Sequence, residues 1–237
     1  MDAHTIWTGN LVMGLVEIPV KLFASVKELD PEFQQYHTKC DKQLRHRVWC
    51  ECCKEEVPTQ DIKKGYKVSK AVAVFISKEE VMQLEEPAEV KQIRVLAFTD
   101  PSTIDLTFWD KNYWLSTGSK HGVLSEGFYG LYQAMVESGK AAICHVMIRS
   151  RSYFAVLQPR DDIFALSLIH FEDEVVAPSE IPREHGSRPV RQSVIDMMKE
   201  YIECETKSIS EMDLRNQYRI RFNQLLESKP APYSSVA

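Results

Sequence analysis

The sequence lacks the motifs with which common enzyme classes bind nucleotides or hydrolyse their substrates. Its nine glycines form neither G-x-x-x-x-G-K nor G-x-G-x-x-G, and H-E-x-x-H and G-x-S-x-G are also absent. No apolar run approaches the ~20 residues of a membrane helix. The first four residues lack the basic start and apolar core of a signal peptide. We therefore expect a cytoplasmic protein without membrane attachment, whose cysteines stay reduced.

A surplus of positive charge is missing as well, since the formal net charge is −5. Nucleic-acid binding would therefore depend on local clusters of lysine and arginine rather than on a basic surface as a whole. One such cluster, residues 42–47, contains no acidic side chain. An ordinary solvated surface is the alternative. The candidate phosphate contacts are Lys21, Lys42, Arg45, Arg47, Lys111, Arg149 and Arg151.

Four of the six cysteines lie within a short stretch that also contains a histidine. The spacing His37-x2-Cys40-x9-Cys50-x2-Cys53 is typical of two ligand pairs that share one tetrahedral zinc ion. Cys52 is adjacent to the second pair and is an alternative to His37. With all four positions filled by protein ligands, such a zinc would be structural. Reduced thiols without metal are the other interpretation.

Two groups of carboxylates suggest a different class of function. Asp161 with Asp162, and Glu172 with Glu174, are the candidate ligands of a metal-dependent nuclease, although such clusters more often lie in solvated turns. His145 and His170 fall in apolar strands and are expected in the core or an interface rather than in catalysis. The remaining cysteines, 144 and 204, lie on apolar stripes and are interpreted as core thiols.

Hydrophobic periodicity predicts a mixed, β-rich fold. Strands are expected at 6–9, 14–23, 72–76, 92–98, 107–115, 141–149, 153–157 and 164–171, and a long helix at 123–137. Capping boxes are predicted at Ser77-x-x-Glu80 and Ser208-x-x-Glu211, each opening a helix. Prolines and a glycine between 178 and 189 indicate a linker. We thus expect a core over 1–177, a linker over 178–189, two helices over 190–228 and a disordered tail over 229–237.

Several ordered blocks of the sequence resemble the prokaryotic Ku family. The first is Ile6-Trp7-Thr8-Gly9 followed by Gly14-Leu15-Val16-Glu17-Ile18-Pro19-Val20-Lys21-Leu22. The His/Cys stretch continues into Glu55-Glu56-Val57-Pro58, and Lys64-Gly65-Tyr66-Lys67 follows. Further blocks are Asp100-Pro101-x-x-Ile104-Asp105, Asp110-Lys111-Asn112-Tyr113-Trp114-Leu115 and Gly139-Lys140-Ala141-Ala142-Ile143 leading to Ile148-Arg149-Ser150. The similarity covers most of residues 5–225.

The resemblance implies an antiparallel β-barrel core with an extended arm that intertwines with a second copy. It also implies a ring-shaped homodimer that binds double-stranded DNA ends without reading their sequence, in repair by non-homologous end joining. The family recruits an ATP-dependent DNA ligase of the Ligase D type, a role that we assign to the helices of 190–228. No enzymatic activity is expected. The alternatives are the nuclease described above and a zinc-ribbon transcription regulator.

Overall fold

The computed structural model describes residues 4–69, 72–77, 80, 83, 91–117, 123–149, 151–182 and 190–229. The chain divides into two compact units. The first unit combines Met1–Glu28 with Gln43–Val176, and the second combines Leu29–Lys42 with Ala177–Ala237. The second unit therefore joins a short N-terminal segment to the two C-terminal helices.

Eleven strands are present in the described part of the first unit, and three long α-helices are present among the described residues. The strands are β1 (Thr5–Met13), β2 (Val16–Ala24), β3 (Trp49–Cys50), β4 (Glu55–Glu56), β5 (Lys64–Lys67), β6 (Ala73–Ile76), β7 (Gln92–Thr99), β8 (Trp109–Thr117), β9 (Ala141–Ile148), β10 (Arg151–Arg160) and β11 (Ile163–Ile169). The helices are α1 (Val123–Ser138), α2 (Gln192–Glu205) and α3 (Gln217–Ser228). Every strand expected from periodicity is found, with shifted ends.

Seven of these strands form a closed barrel in the order β1-β2-β8-β11-β10-β9-β7. The expectation of a β-barrel is confirmed, but the antiparallel description is wrong at one seam, where β1 and β7 pair in parallel. The reason is geometric: strands that alternate in direction can close a ring only in even number, so seven strands require one parallel pair. Sequence periodicity carries no information about strand direction, so this seam was not predicted.

The barrel is filled by the inward-facing apolar residues of its strands, and helix α1 closes one end. Phe128, Leu131 and Met135 of α1 are buried and lie on one face of this helix, which was predicted at 123–137. The ring of Phe128 meets that of Phe164 edge to face, with centroids 5.1 Å apart. The hydroxyl of Tyr132 accepts a hydrogen bond from the backbone N–H of Asp162, 3.1 Å away. The helix is thus fixed to the end of the barrel at which β11 begins.

Two small hairpins lie outside the barrel wall. Strands β3 and β4 pair around the cysteine-rich turn, and β5 pairs with β6. The β5–β6 hairpin leaves Tyr66, Val74 and Phe75 at least half exposed. The predicted capping box after β6 is confirmed, since the backbone N–H of Ser77 donates to Glu80 and that of Glu80 donates to the Ser77 hydroxyl. Most of the helix predicted after it lies outside the described residues.

In the second unit, the helices α2 and α3 lie close to their predicted positions. The prediction that Ser208 opens the last helix is wrong, because Ser208 caps only a 3₁₀ turn over Ile209–Glu211. Asp213 then accepts bonds from the backbone and side chain of Arg215, which holds a second turn. The helix begins only after Asn216, whose side chain accepts from the Arg219 N–H. No described helix is long and apolar enough to cross a membrane.

The two thiols predicted to be buried differ. Cys144 is fully buried in β9, which confirms its place in the core, and burial raises its pKa to about 12. Cys204 is exposed on α2, so the prediction that it is a core thiol was wrong. The apolar stripe of α2 that suggested burial is itself exposed within the described chain, with Met198, Tyr201 and Ile202 more than half accessible. Residues 230–237 of the predicted tail lie outside the described residues, as do 183–189 of the predicted linker.

Candidate nucleic-acid interface

The end of the barrel opposite helix α1 opens into a cavity of about 780 Å³. Side chains on a strand alternate between its two faces. On β8, Leu115 is buried in the core and Tyr113 packs against it, so Lys111 continues the same inward-facing row toward the opening. On β10, Leu157, Ala155 and Tyr153 form such a row, and Arg151 ends it. Both rows therefore change from apolar to cationic at the same mouth.

Arg149 reaches this mouth from a tight turn. Ile148 of β9 pairs with Arg151 of β10, which leaves two residues to connect the strands. Arg149 occupies the left-handed region with φ +50°, a conformation that costs a non-glycine residue roughly 1–2 kcal/mol. Arg149 lines the cavity together with Arg151 and Lys111. Three of the seven predicted phosphate contacts are thus brought together at one opening.

The mouth contains acidic groups as well as basic ones. Asp110 and Glu28 line it, yet within the described chain no carboxylate lies at salt-bridge distance from Lys111, Arg149 or Arg151. The three cations are therefore not neutralised by ion pairs there. One side of the mouth is also held in place, because the Ser25 hydroxyl donates to the Asn112 carbonyl over 2.6 Å. This arrangement can bind a negatively charged ligand.

The other four predicted phosphate contacts lie elsewhere. Lys21 is on the outer face of β2, since its neighbours Val20 and Leu22 point into the core. Arg47 forms an exposed salt bridge of 2.9 Å with Glu56 across the β3–β4 hairpin, which competes with phosphate for its guanidinium. Arg45 is exposed near this hairpin in the first unit, and Lys42 is exposed in the second. Contact with DNA remains a prediction for all seven.

The predicted metal ligands form two local pairs in different compact units. In the second unit, His37 Nδ1 lies 3.1 Å from the Cys40 thiol, and the His37 N–H donates to the Lys42 carbonyl. In the first unit, the backbone N–H groups of Cys53 and Cys52 lower the pKa of the Cys50 thiol. Such N–H donors favour the thiolate form in which cysteine binds metal. The hydrogen bond with Cys50 raises the pKa of the Cys53 thiol, so only one thiol of this pair is favoured as the thiolate.

A complete metal centre is not found among the described residues, where no three His, Cys, Asp or Glu side chains are grouped to hold one ion. Zinc at His37, Cys40, Cys50 and Cys53, or with Cys52 in place of His37, therefore stays a prediction.

The carboxylates proposed for a nuclease are not brought together. Asp161 and Asp162 form the turn before β11, with φ of 44° and 65°, whereas Glu172 and Glu174 follow its end. A strand of seven residues spans roughly 20 Å, far beyond the reach of one metal site. Asp161 and Asp162 lie in a turn and Glu172 and Glu174 in a single 3₁₀ turn, close to the alternative interpretation.

The two histidines that the sequence placed in apolar strands lie in different settings. His145 is partly buried on the outer face of β9, where its ring contacts the Ser152 hydroxyl and packs near Phe154. His170 follows β11 and lies 3.4 Å from Glu174.

Sequence reasoning missed the uncharged part of the mouth. Tyr113, Tyr153 and Asn112 line the same cavity as the three cations. The signal that would have found the tyrosines is the period-two spacing Lys111-Tyr113-Leu115 and Arg151-Tyr153-Ala155, in which each cation ends an inward-facing row.

Comparison with known proteins agrees with this architecture. The model of the Ku family, described as the Ku70/Ku80 beta-barrel domain, matches residues 12–197. The match runs from the last two residues of β1 into α2 and covers most of the chain, so the chain belongs to the Ku family.

Curated relatives named Non-homologous end joining protein Ku match over almost the whole chain. The protein of Archaeoglobus fulgidus is 28% identical over 94% of this chain and 87% of its own length. That of Bacillus thuringiensis is 24% identical, with coverage of 95% and 84%. That of Symbiobacterium thermophilum is 31% identical over 98% of this chain but only 57% of its own length.

Proposed function

We propose that this chain binds the ends of double-stranded DNA without reading their sequence and acts in repair by non-homologous end joining. The observation that carries the proposal is the match, over nearly the whole chain, to relatives named for that process. The barrel mouth supports it, because Lys111, Arg149 and Arg151 are available to bind phosphate. Phosphate contacts give affinity that depends on salt but not on base sequence.

A comparison of DNA topologies tests this proposal. Linear and covalently closed circular duplexes of identical sequence are titrated with the protein at one salt concentration, and the bound fractions are measured by gel shift. End binding predicts retention of the linear duplex at protein concentrations that leave the closed circle free. Equal affinity for the two forms would overturn it. A shuffled-sequence linear competitor should compete fully, whereas a sequence-specific transcription regulator would resist it.

We further propose that the protein works as a ring-shaped homodimer. An isolated two-stranded hairpin is marginally stable in water, yet β5–β6 leaves the Phe75 side chain 70% exposed. A second copy would cover this apolar surface. Light scattering should give the mass of a dimer for the native chain and of a monomer for Phe75→Asp. The control, Leu15→Asp, changes a fully exposed leucine in the β1–β2 turn and should remain dimeric.

The third part of the proposal is recruitment of an ATP-dependent DNA ligase of the Ligase D type through residues 190–228. Helix α2 presents Met198, Tyr201 and Ile202 to solvent, a stripe suited to an apolar partner. A pull-down of such a ligase by DNA-bound protein should fail for Tyr201→Ala but succeed for Glu203→Ala, a polar change on the same helix. Equal recovery with both variants would contradict this assignment.

In this proposal the chain is a binding scaffold rather than an enzyme. The separation of Asp161 and Asp162 from Glu172 and Glu174 by the length of β11 supports this view. Magnesium-dependent degradation of a labelled duplex by the pure protein would instead favour the nuclease alternative.

The same proposal includes a structural zinc ion. His37, Cys40, Cys50 and Cys53 would hold it, and the ion would fix the position of the basic loop at residues 42–47. Two short pairs of soft donors suit the tetrahedral preference of zinc.

A further inference from the structure

The open mouth of the barrel has the size of a small-molecule site. Pockets for small ligands typically measure about 300–1,000 Å³, and this cavity measures about 780 Å³. Mouths of β-barrels are among the places where such pockets occur. A cavity of this volume is large enough for a ligand of the size of one nucleotide.

The cationic and aromatic side chains that line the cavity match the phosphate and the base of a nucleoside phosphate. Lys111, Arg149 and Arg151 provide cations for a phosphate, and arginine can bind two phosphate oxygens at once. Tyr113 and Tyr153 provide rings of the kind on which bases stack.

The acidic members of the lining fit the same ligand. Asp110 and Glu28 can accept hydrogen bonds from sugar hydroxyls or from the amino group of a base. A bare anion would gain nothing from these carboxylates, whereas a nucleotide has donors to offer them. The mixed charge of the mouth thus favours a nucleoside phosphate over inorganic phosphate.

We propose that the barrel mouth is a binding site for one nucleoside phosphate. The nucleotide is either free in solution or is the unpaired, phosphorylated nucleotide at the end of a DNA strand. The second source rests on the proposed binding of DNA ends. Binding of a free nucleotide depends only on the residues that line the cavity and does not rest on that proposal.

The first experiment uses the full-length protein and deoxyadenosine monophosphate, with binding measured by calorimetry. The native chain should bind it, and the double variant Arg149→Gln/Arg151→Gln should lose at least tenfold in affinity. Deoxyadenosine and inorganic phosphate, which each lack part of the ligand, should bind at least tenfold more weakly. Arg160→Gln, which removes one arginine charge at the closed end of the barrel, should bind like the native chain. Thermal unfolding and light scattering verify that the variants keep their fold and mass.

A second experiment identifies the source of the nucleotide. Linear duplexes that are blunt, or that carry one unpaired 5′-phosphorylated nucleotide, are compared with native protein and with the double variant. A preference for the unpaired nucleotide that disappears in the double variant supports the strand end as the ligand. Binding of the free nucleotide without this preference supports a soluble nucleotide.

The outcomes separate this inference from the proposed function. If the native protein binds linear and closed DNA equally well, end binding is overturned. The proposed nucleotide site still stands in that case if deoxyadenosine monophosphate binds. The inference is overturned if the native chain binds no deoxyadenosine monophosphate and shows no preference for the unpaired nucleotide. It is also overturned if Arg160→Gln weakens nucleotide binding as much as the double variant does.

Discussion

Arg151 and Arg160 stand at the two ends of one strand, β10, and therefore at opposite ends of the barrel. Arg151 lines the open mouth, while Arg160 lies beside the C-terminal end of helix α1. The two arginines therefore place the same positive charge at the open end and at the closed end of the barrel. Substitution of each in turn separates the effect of position from that of net charge.

The first prediction concerns the salt dependence of DNA binding. Each phosphate contact that is lost lowers the slope of log affinity against log salt by about one. Arg151→Gln should therefore show a slope reduced by about one for a short linear duplex, and Arg160→Gln should keep the native slope. Anisotropy titrations at several salt concentrations measure this. Equal slopes for the two variants would show that the mouth does not contact phosphate.

The second prediction concerns the closure of the barrel by α1. Phe128 is fully buried against Phe164, whereas its neighbour Tyr129 is half exposed. Removal of a buried phenylalanine ring typically costs about 3–5 kcal/mol in the free energy of unfolding. Phe128→Ala should show this loss in urea unfolding, while Tyr129→Ala should lose less than about 1 kcal/mol. Similar losses in both variants would contradict the conclusion that the buried ring of Phe128 holds α1 against the end of the barrel.

Much of the barrel could be predicted because inward-facing residues leave a period-two pattern in the sequence. Residues 142–148 of β9 alternate between buried and partly buried, and Phe128, Leu131 and Met135 follow the helical period. These patterns are local, and each is imposed by burial on one face of one element.

The closure of the barrel and the assembly of its mouth could not be predicted in this way. Gln92 pairs with Asn10, and Lys111 meets Arg149 and Arg151 at one opening, through pairings between residues distant in sequence.

The burial of Cys204 was predicted wrongly for a related reason. An apolar stripe predicts a face that is to be covered, but not whether the same chain covers it.

The third prediction separates charge from backbone strain at the mouth. Arg149 has φ +50°, which favours glycine, while Arg151 lies in a strand, where glycine is unfavourable by about 0.5–1 kcal/mol. Arg149→Gly should keep the native free energy of unfolding or raise it by about 1 kcal/mol. Arg151→Gly should lower it. Both should weaken DNA binding to a similar degree, as measured by anisotropy. A strongly destabilised Arg149→Gly would show that its side chain is needed for the fold.

The fourth prediction concerns the reactivity of the thiols. Burial raises the pKa of Cys144 from 9.0 to about 12, and the thiolate is the form that reacts. At about pH 8, a short treatment of the native protein with iodoacetamide should modify Cys204 and spare Cys144, as mapped by mass spectrometry. Unfolding in urea should make the two react alike. Modification of native Cys144 at the rate of Cys204 would contradict its burial.

The raised pKa of Cys144 also gives a pH dependence of stability. The folded chain keeps this proton between pH 9 and about 12, where the unfolded chain releases it. The contribution to stability is therefore fully present below pH 9 and is lost as the pH rises toward 12. Cys144→Ala should show a shallower fall in unfolding free energy over this range than Cys204→Ala. Identical slopes for the two would contradict the shift.

The fifth prediction concerns the proposed zinc ion. A four-ligand site predicts about one zinc per chain by mass spectrometry of the purified protein, and a chelator should lower the unfolding temperature, because metal binding adds to folding free energy. Cys50→Ser should lose the ion, while Cys204→Ser, a change of an exposed thiol in helix α2, should retain it. If His37→Ala retains zinc and Cys52→Ala loses it, Cys52 is the fourth ligand. Less than about half an equivalent of zinc in the native protein would overturn the site, while end binding, which depends on the basic side chains, would be unaffected by that result.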